Sequence, residues 1–202
     1  MALVRTRLRG EEQETRGRIL SAAAAWFADH GYAATSIRDI AREVGVTVGA
    51  IYVHFASKDR LLAAVYEEGV RRIGEAVDGA TETIDDPWQR LEAAAAAHLK
   101  ALLDNASFAR VVVRVVPTDV PEAARDLERL RDGYEARFRS LIDTLDIAPT
   151  YDPTLLRLQL LGALNTTLTW YKRGSSRSSP RRIAQQFVAT LRDGVADSRR
   201  KR

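Results

Sequence analysis

The sequence predicts an all-α protein of about nine helices. Apolar residues recur at three- and four-residue spacings along most of its 202 residues, which is the pattern of amphipathic helices. A single β-branched run, 111–116, is short and isolated. Glycine, proline and small polar residues stand at the ends of the periodic segments, where helices start and stop.

Composition sets the first limits on function. Apolar residues make up 46% of the chain and charged residues 29%, as in ordinary globular proteins. Cysteine is absent, which excludes disulfides, thiolate metal sites and cysteine nucleophiles. The apolar run "ILSAAAAWFA" is too short for a membrane span and follows three glutamates, the wrong flank for a secretory signal. We therefore expect a cytoplasmic protein with no membrane partner.

The net charge of +4 is unevenly distributed. Arg5, Arg7 and Arg9 precede the first acidic residue, and residues 199–202 are all basic. Basic arms of this kind can bind a polyanion such as DNA by releasing counterions. Solvated chain termini would show the same pattern.

The first two helices have clear boundaries. Apolar positions from Thr15 onward keep helical spacing until Gly31, which can end the helix. Thr35 or Ser36 can then cap a second helix that carries Asp39 in its first turn.

A glycine turn joins that second helix to a short third one. Gly45 supplies the turn, and the third helix is predicted from about Thr47 to Val53. Two short helices joined in this way after a longer one form a helix-turn-helix pattern, in which the second of the pair enters the DNA major groove. The apolar residues that would hold the joint are Ile40, Val44, Val46 and Ile51.

The outer face of the third helix carries small side chains that suit contact with base edges. Thr47 can hydrogen-bond a base or a phosphate, Val48 can contact a thymine methyl, and Gly49 permits close approach. Donors that can reach phosphate oxygens flank the helix at Tyr52, His54 and Lys58. Tyr52 can equally be read as a packing residue.

Six more helices are predicted downstream. Ser57 caps the fourth, and Pro87 starts a helix through "WQRLEAAAAAHLKALL". Further helices follow: one through the valine run before Pro117, one from Pro121, one from Pro153 to about Tyr171, and one from Pro180 to near Gly194.

The stretch "TRGRILSAAAAWFADHGYAATSIRDIAREVGVTVGAIYVHFASKDRLLAAV" resembles the DNA-binding domain of TetR-family transcriptional regulators. The resemblance implies an all-helical homodimer that binds a palindromic double-stranded DNA operator. It also implies a C-terminal domain in which a small effector lowers DNA affinity. On the matching positions, it implies base-proximal roles for Arg38, Thr47, Val48, Gly49 and Tyr52, and phosphate contacts for Ser36, His54 and Lys58.

The C-terminal stretch "YDPTLLRLQLLGALNTTLTWYKRGSSRSSPRRIAQQFVATLRDGV" is similar to TetR-like regulators of lipid and steroid catabolism, several of which sense acyl-CoA thioesters. This similarity implies a hydrophobic or acyl-CoA-like effector. Its serine- and arginine-rich loop departs from the usual form.

The helix from Pro153 carries two apolar stripes, which predicts burial on two sides. We expect one side to face its own bundle and the other to face a second subunit. The predicted dimer-interface residues are Leu155, Leu158, Gly162, Ile183, Phe187 and Leu191.

An effector pocket needs a large apolar surface with a few polar groups. The predicted pocket residues are Trp88, His98, Phe108, Arg114, Tyr134, Phe138 and Asn165. Each of these can also be read as a core residue. Arg110, Arg114 and Arg137 can meet a ligand carboxylate or phosphate, or pair with acidic residues on neighbouring helices.

We predict a helix-turn-helix domain over 1–60 and a helical ligand-binding and dimerisation domain over 61–202. Together they predict a repressor, released from its operator by a small effector. The alternative is a helical DNA-binding protein without a ligand. An enzyme is not expected, because the chain has three histidines, no phosphate loop and no dinucleotide fingerprint, and neither a cofactor nor a metal is predicted.

Overall fold

The computed structural model describes residues 2–104, 106–172 and 179–195. The basic arm at 199–202 and most of the serine-rich loop lie outside the described residues, as do the side chains of Arg5, Arg7 and Arg9. The described part contains nine α-helices, one 3₁₀ turn and no strand, which confirms the all-α prediction. The helices are α1 (Ala2–His30), α2 (Ile37–Val44), α3 (Val48–His54), α4 (Lys58–Thr81), α5 (Pro87–Asp104), α6 (Ala106–Arg114), α7 (Ala124–Asp143), α8 (Pro153–Trp170) and α9 (Pro180–Val195).

The chain divides into two compact units. The first contains residues 1–69 together with 107–128, and the second contains 70–106 and 129–202. Helices α4 and α7 therefore contribute residues to both units, and α6 lies in the first unit except for its first residue, Ala106.

Two helix starts differ from the sequence prediction. Helix α1 begins at Ala2 rather than near Thr15. The added segment lacks apolar periodicity but is free of proline, and it holds Glu12 and Glu14 four residues before Arg16 and Arg18, a spacing that supports helix. Helix α7 begins at Ala124, because residues 121–123 form a separate turn.

Glycine and hydroxyl side chains fix the ends of α1 and α2. Gly31 and Gly45 adopt φ of 82° and 73°, the left-handed region that favours glycine. Ser36, not Thr35, caps α2 in a capping box with Asp39. The Thr35 hydroxyl instead donates to the Gly31 carbonyl at 2.8 Å and thus helps to close α1.

The first unit has a core shared by α1–α4 and the segment 107–128. Its fully buried side chains include Ile19, Ile40, Ile51, Leu61 and Leu127. Two ion pairs hold the later segment: Arg110 to Asp29 at 2.7 Å and Arg60 to Asp126 at 2.6 Å. Helix α4 packs against α6 at Gly69, which lies beside Phe108 and Val112.

Gly69→Ala is expected to destabilise the first unit. A Cβ there would lie 2.7 Å from Val112 Cγ2 and 3.3 Å from the Phe108 carbonyl oxygen, so the Val112 side chain or the α6 backbone has to shift. Overpacking of this kind costs roughly 1–3 kcal/mol, which exceeds the helix-propensity gain of about 1 kcal/mol. Denaturant unfolding of both proteins measures the difference.

Gly79→Ala is the matched control, because it lies in the same helix and a Cβ there meets no atom within 4 Å. It is expected to stabilise the protein by roughly 0.5–1 kcal/mol. A Gly69→Ala protein as stable as Gly79→Ala would show that the α4–α6 contact is not tight.

The second unit is built around α5. This helix buries residues on most of its circumference, including Leu91, Leu99 and Leu102. Asp152 caps α8 by accepting hydrogen bonds from the backbone of Thr154 and Leu155, and Pro153 is the first helical residue, as predicted. Within the described residues, no helix is both long and apolar enough to cross a membrane.

Candidate nucleic-acid interface and effector site

The joint between α2 and α3 is a set of buried apolar side chains around a glycine turn. Ile40 and Ile51 are fully buried and Val44 is nearly so, while Val46 is half-buried. The Gly45 and Val46 amides donate to the Arg42 and Ala41 carbonyls at 3.2 and 3.0 Å, the paired bonds of a Schellman motif. This packing fixes the angle between the two helices.

The opposite side of α3 is open. Thr47, Gly49, Tyr52 and Val53 are exposed and Val48 is half-buried. Among the large apolar residues whose burial the structure describes, Val53 is the most exposed, at 82%. We call Thr47, Val48, Gly49, Tyr52 and Val53 the α3 surface; Arg38, in the first turn of α2, is also exposed.

Two predicted DNA contacts are also helix caps. The Ser36 hydroxyl donates to the Asp39 carboxylate at 2.5 Å, and this bond holds the pKa of Asp39 below its usual value. The single hydroxyl proton of Ser36 is therefore already used in a hydrogen bond to Asp39. The Thr47 hydroxyl accepts from the Ala50 amide at 3.1 Å, which leaves its proton free to donate outward.

Lys58 and His54 flank this surface and are both half-buried. The Lys58 Nζ lies 4.2 Å from the centre of the Tyr32 ring. The Tyr32 hydroxyl donates to the Asp59 carboxylate. Burial, followed by that hydrogen bond, raises the pKa of Tyr32 above its ordinary value, so the hydroxyl remains a donor.

In the second unit, four of the predicted pocket residues come together. His98 Nδ1 is 2.5 Å from the Tyr134 hydroxyl and His98 Nε2 is 3.1 Å from Asn165 Oδ1. The Phe138 ring meets the His98 ring edge-on, with 5.8 Å between centroids. We call His98, Tyr134, Phe138 and Asn165 the His98 cluster.

The His98 cluster is uncharged near neutral pH. Burial lowers the pKa of His98 from 6.5 to about 4, although the hydrogen bond to Asn165 acts in the opposite direction. A neutral ring that donates from Nε2 to the amide oxygen of Asn165 accepts the Tyr134 proton at Nδ1. Burial also raises the pKa of Tyr134, so the phenol stays protonated.

The other predicted pocket residues lie elsewhere. Trp88 lines a small cavity with Leu91, Ile142, Leu145, Leu156 and Leu191. Phe108 and Arg114 belong to the first unit, where Phe108 packs at Gly69 and Arg114 donates to the Ala28 carbonyl at 3.5 Å. Arg110 is paired with Asp29 and Arg137 with Asp78, at 2.7 and 2.9 Å.

The two stripes of α8 differ in exposure. Leu156, Leu160, Leu164 and Thr167 are buried. Leu155 and Leu158 are 63% and 49% exposed, and Gly162 on the same stripe is also exposed. Trp170, the last residue of the helix, is exposed.

A groove of about 300 Å³ lies beside the exposed stripe, between α8 and α9. It is lined by Gln159, Leu160, Ala163, Gln186, Phe187, Thr190 and Leu191. Ile183, which was predicted for the dimer interface, is only 8% exposed and packs within its own chain. Ile183 is buried together with Ala184 and Val188 of the same helix, whereas Phe187 is half-buried.

Among the residues beside this interface, sequence reasoning gave no role to Tyr32. Val53 lies about 200° around α3 from the buried Ile51, so helical spacing alone predicts its exposure. Tyr32 gives no such signal, because its contacts with Lys58 and Asp59 join residues 26 and 27 positions apart along the chain.

A helix-turn-helix with an open second helix, joined to a separate helical unit, is the arrangement of a DNA-binding transcriptional regulator. Residues 19–65 match the family model described as bacterial regulatory proteins, tetR family. Residues 84–195 match the tetracyclin repressor-like C-terminal domain. The chain therefore belongs to the TetR family of transcriptional regulators.

Known proteins similar to this chain include named regulators. The HTH-type transcriptional repressor KstR2 of Mycobacterium tuberculosis H37Rv is 26% identical over 94% of this chain and 96% of its own. A tetR-family regulatory protein from Rhodococcus RHA1 is 27% identical, with a TM-score of 0.75 over 90% of this chain and 97% of its own. AibR, solved with isovaleryl coenzyme A and operator DNA, shares the fold at 23% identity and a TM-score of 0.72, over 87% of this chain and 97% of its own.

Proposed function

We propose that this regulator is a repressor that binds a palindromic operator as a homodimer and is released by a small apolar or acyl-CoA-type effector. The observation that carries the DNA-binding part is the two-sided α3. Ile51 is fully buried against its neighbours while Tyr52 and Val53 are exposed. A helix held rigidly on one side and open on the other suits insertion into a major groove.

Gly49 supports direct contact between α3 and DNA. A Cβ at this position would meet Thr47 Oγ1 at an ordinary 3.8 Å, so alanine fits the fold. Glycine is nevertheless present, although it weakens a helix by roughly 0.5–1 kcal/mol. Close approach of a base edge would explain the missing side chain.

The roles on the α3 surface follow from chemistry and exposure. Thr47 keeps a free hydroxyl proton for a base acceptor, and Val48 and Val53 offer methyl groups to thymine. Arg38 is exposed beside the α2 start and can reach a guanine edge. The DNA backbone is proposed to be contacted by four residues: Ser36, Tyr52, His54 and Lys58.

Selection of binding sites from randomised duplexes tests this assignment. The wild-type protein is expected to select an inverted repeat. Thr47→Ala is expected to relax preference at one base pair of each half-site, because losing a base contact typically costs about 1–3 kcal/mol.

Thr47→Ser is the control, because serine preserves both the cap and the hydroxyl proton. It should retain the hydroxyl-dependent preference that Thr47→Ala loses. Unchanged selectivity in Thr47→Ala would remove this residue from the base-reading set.

The His98 cluster supports the effector part of the proposal. It places uncharged hydrogen-bonding groups inside an apolar unit, which suits a ligand with a carbonyl or hydroxyl group. Arg110 and Arg137 are paired with aspartates, and Arg114 bonds a backbone carbonyl. A carboxylate bound at any of these three arginines would have to displace the partner of that arginine.

Release of the selected operator by candidate effectors tests this part. We expect a branched acyl-CoA or an apolar ketone to reduce operator affinity more than the corresponding free carboxylic acid does. Fluorescence anisotropy of a labelled operator measures the release. Stronger release by the free acid would contradict the uncharged site, and no release by any class would favour the ligand-independent alternative.

A further inference from the structure

We propose that Tyr32 is a positioning residue for DNA binding, whose ring holds the Lys58 ammonium where a phosphate can be bound. The inference rests on the proposed DNA-binding function and adds a residue to which that function assigns no role. It is carried by two contacts, the Lys58 ammonium on the ring face and the Asp59 carboxylate on the hydroxyl.

The two contacts join separate parts of the first unit. Tyr32 follows Gly31 in the turn after α1, whereas Lys58 and Asp59 open α4. The ring also packs against Phe27, with 5.7 Å between centroids, and Phe27 is 4% exposed. Tyr32 is thus anchored in the core on one side and presents its ring to Lys58.

A cation on an aromatic face keeps its charge and its N–H donors. A lysine side chain has several rotatable bonds, and ordering it at a phosphate opposes binding through lost rotamer freedom. The ring, 4.2 Å from Nζ, restricts that freedom before DNA arrives, and the donors that point away from the ring remain available.

The Tyr32 hydroxyl has a second effect. Asp59 is the nearest acidic residue along the chain to Lys58 and would attract its ammonium. Because the hydroxyl already donates to the Asp59 carboxylate, it competes with Lys58 for the carboxylate oxygens. Burial lowers the pKa of Lys58 and Asp59 acts in the opposite direction, as expected for an ammonium that is partly removed from water.

The experiment compares Tyr32→Phe, Tyr32→Leu, Lys58→Ala and the double variant Tyr32→Leu/Lys58→Ala on the selected operator. Lys58→Ala is expected to lower the salt slope of binding by about one per copy. Tyr32→Leu should weaken binding about two- to five-fold per copy, the size of an exposed cation–π interaction. Tyr32→Phe, which keeps the ring, should recover most of that loss.

The double variant separates positioning from general structure. If Tyr32 acts through Lys58, adding Tyr32→Leu to Lys58→Ala produces no further loss. An equal loss in both backgrounds, or tighter binding by Tyr32→Leu, overturns the proposal. Thermal unfolding is measured for every variant, and Tyr32→Met replaces Tyr32→Leu if leucine prevents folding.

A DNA-free readout keeps the two hypotheses apart. The Lys58 ε-methylene protons are expected to show an upfield ring-current shift in the wild type and in Tyr32→Phe, and to lose it in Tyr32→Leu. A wild-type protein that binds no duplex overturns the proposed function, whatever the shift. A wild type that binds while Tyr32→Leu binds equally well overturns only the role of Tyr32.

Discussion

Replacing Leu158 with glutamate is expected to convert a homodimer into folded monomers. Leu158 is 49% exposed on α8, next to the apolar groove between α8 and α9. A carboxylate there is hydrated in the monomer, so the fold survives, but burying it in an apolar interface without a partner is strongly unfavourable. Light scattering measures the loss of mass.

Operator affinity is expected to fall with the dimer. A dimer that contacts both half-sites binds roughly 10²–10⁴-fold more tightly than a monomer that contacts one, because the second contact forms at high effective concentration. Ser140→Glu adds the same charge at an exposed position of α7 and should leave both mass and affinity unchanged. A Leu158→Glu protein that remains dimeric would place the interface on another surface.

Lowering the pH from 7 to 4 is expected to destabilise the second unit through His98. The pKa of this residue is about 4 in the folded chain and 6.5 in its ordinary state. Above pH 6.5 both folded and unfolded forms are neutral, so the shift has no effect on stability. Below pH 6.5 the unfolded chain takes up a proton that the folded chain refuses, and stability falls until pH 4.

The free energy of unfolding is expected to fall, relative to pH 7, by about 2 kcal/mol at pH 5 and about 3 kcal/mol at pH 4. Denaturant unfolding at pH 7, 5 and 4 measures it, with His98→Gln as the reference that does not titrate. Because the other titrating groups are common to both proteins, the difference between the two curves isolates His98. Parallel curves would show that the ring is already protonated or accessible in the folded chain.

Much of the fold could be predicted because helix signals are local. Asp152 and Pro153 mark the start of α8, and Gly45 marks the turn before α3, through contacts within four residues. The predicted start of α1 was wrong because residues 2–14 are mostly polar, although they contain good helix formers. Apolar periodicity reports burial, and the exposed residues 10–14 give no such signal.

The candidate sites also contain features that local sequence predicts and features that depend on contacts between distant residues. The exposure of Gly49 and Val53 follows from their position about 200° around α3 from the buried Ile51, a local property. The pairing of His98 with Tyr134 and Asn165 joins residues 36 and 67 positions apart. Sequence reasoning named these residues as a set, but their hydrogen bonds depend on how three helices pack.

Residues 107–128 belong to the first unit, and this affects how hybrid regulators can be constructed. A hybrid made by grafting only its first sixty-nine residues onto another sensor would leave Gly69 without the α6 backbone that fits against it, and Asp29 without Arg110. The first unit is made of two separate chain segments, so it cannot be exchanged as one continuous N-terminal piece. Operator specificity is better exchanged between relatives by substituting the exposed residues of α3.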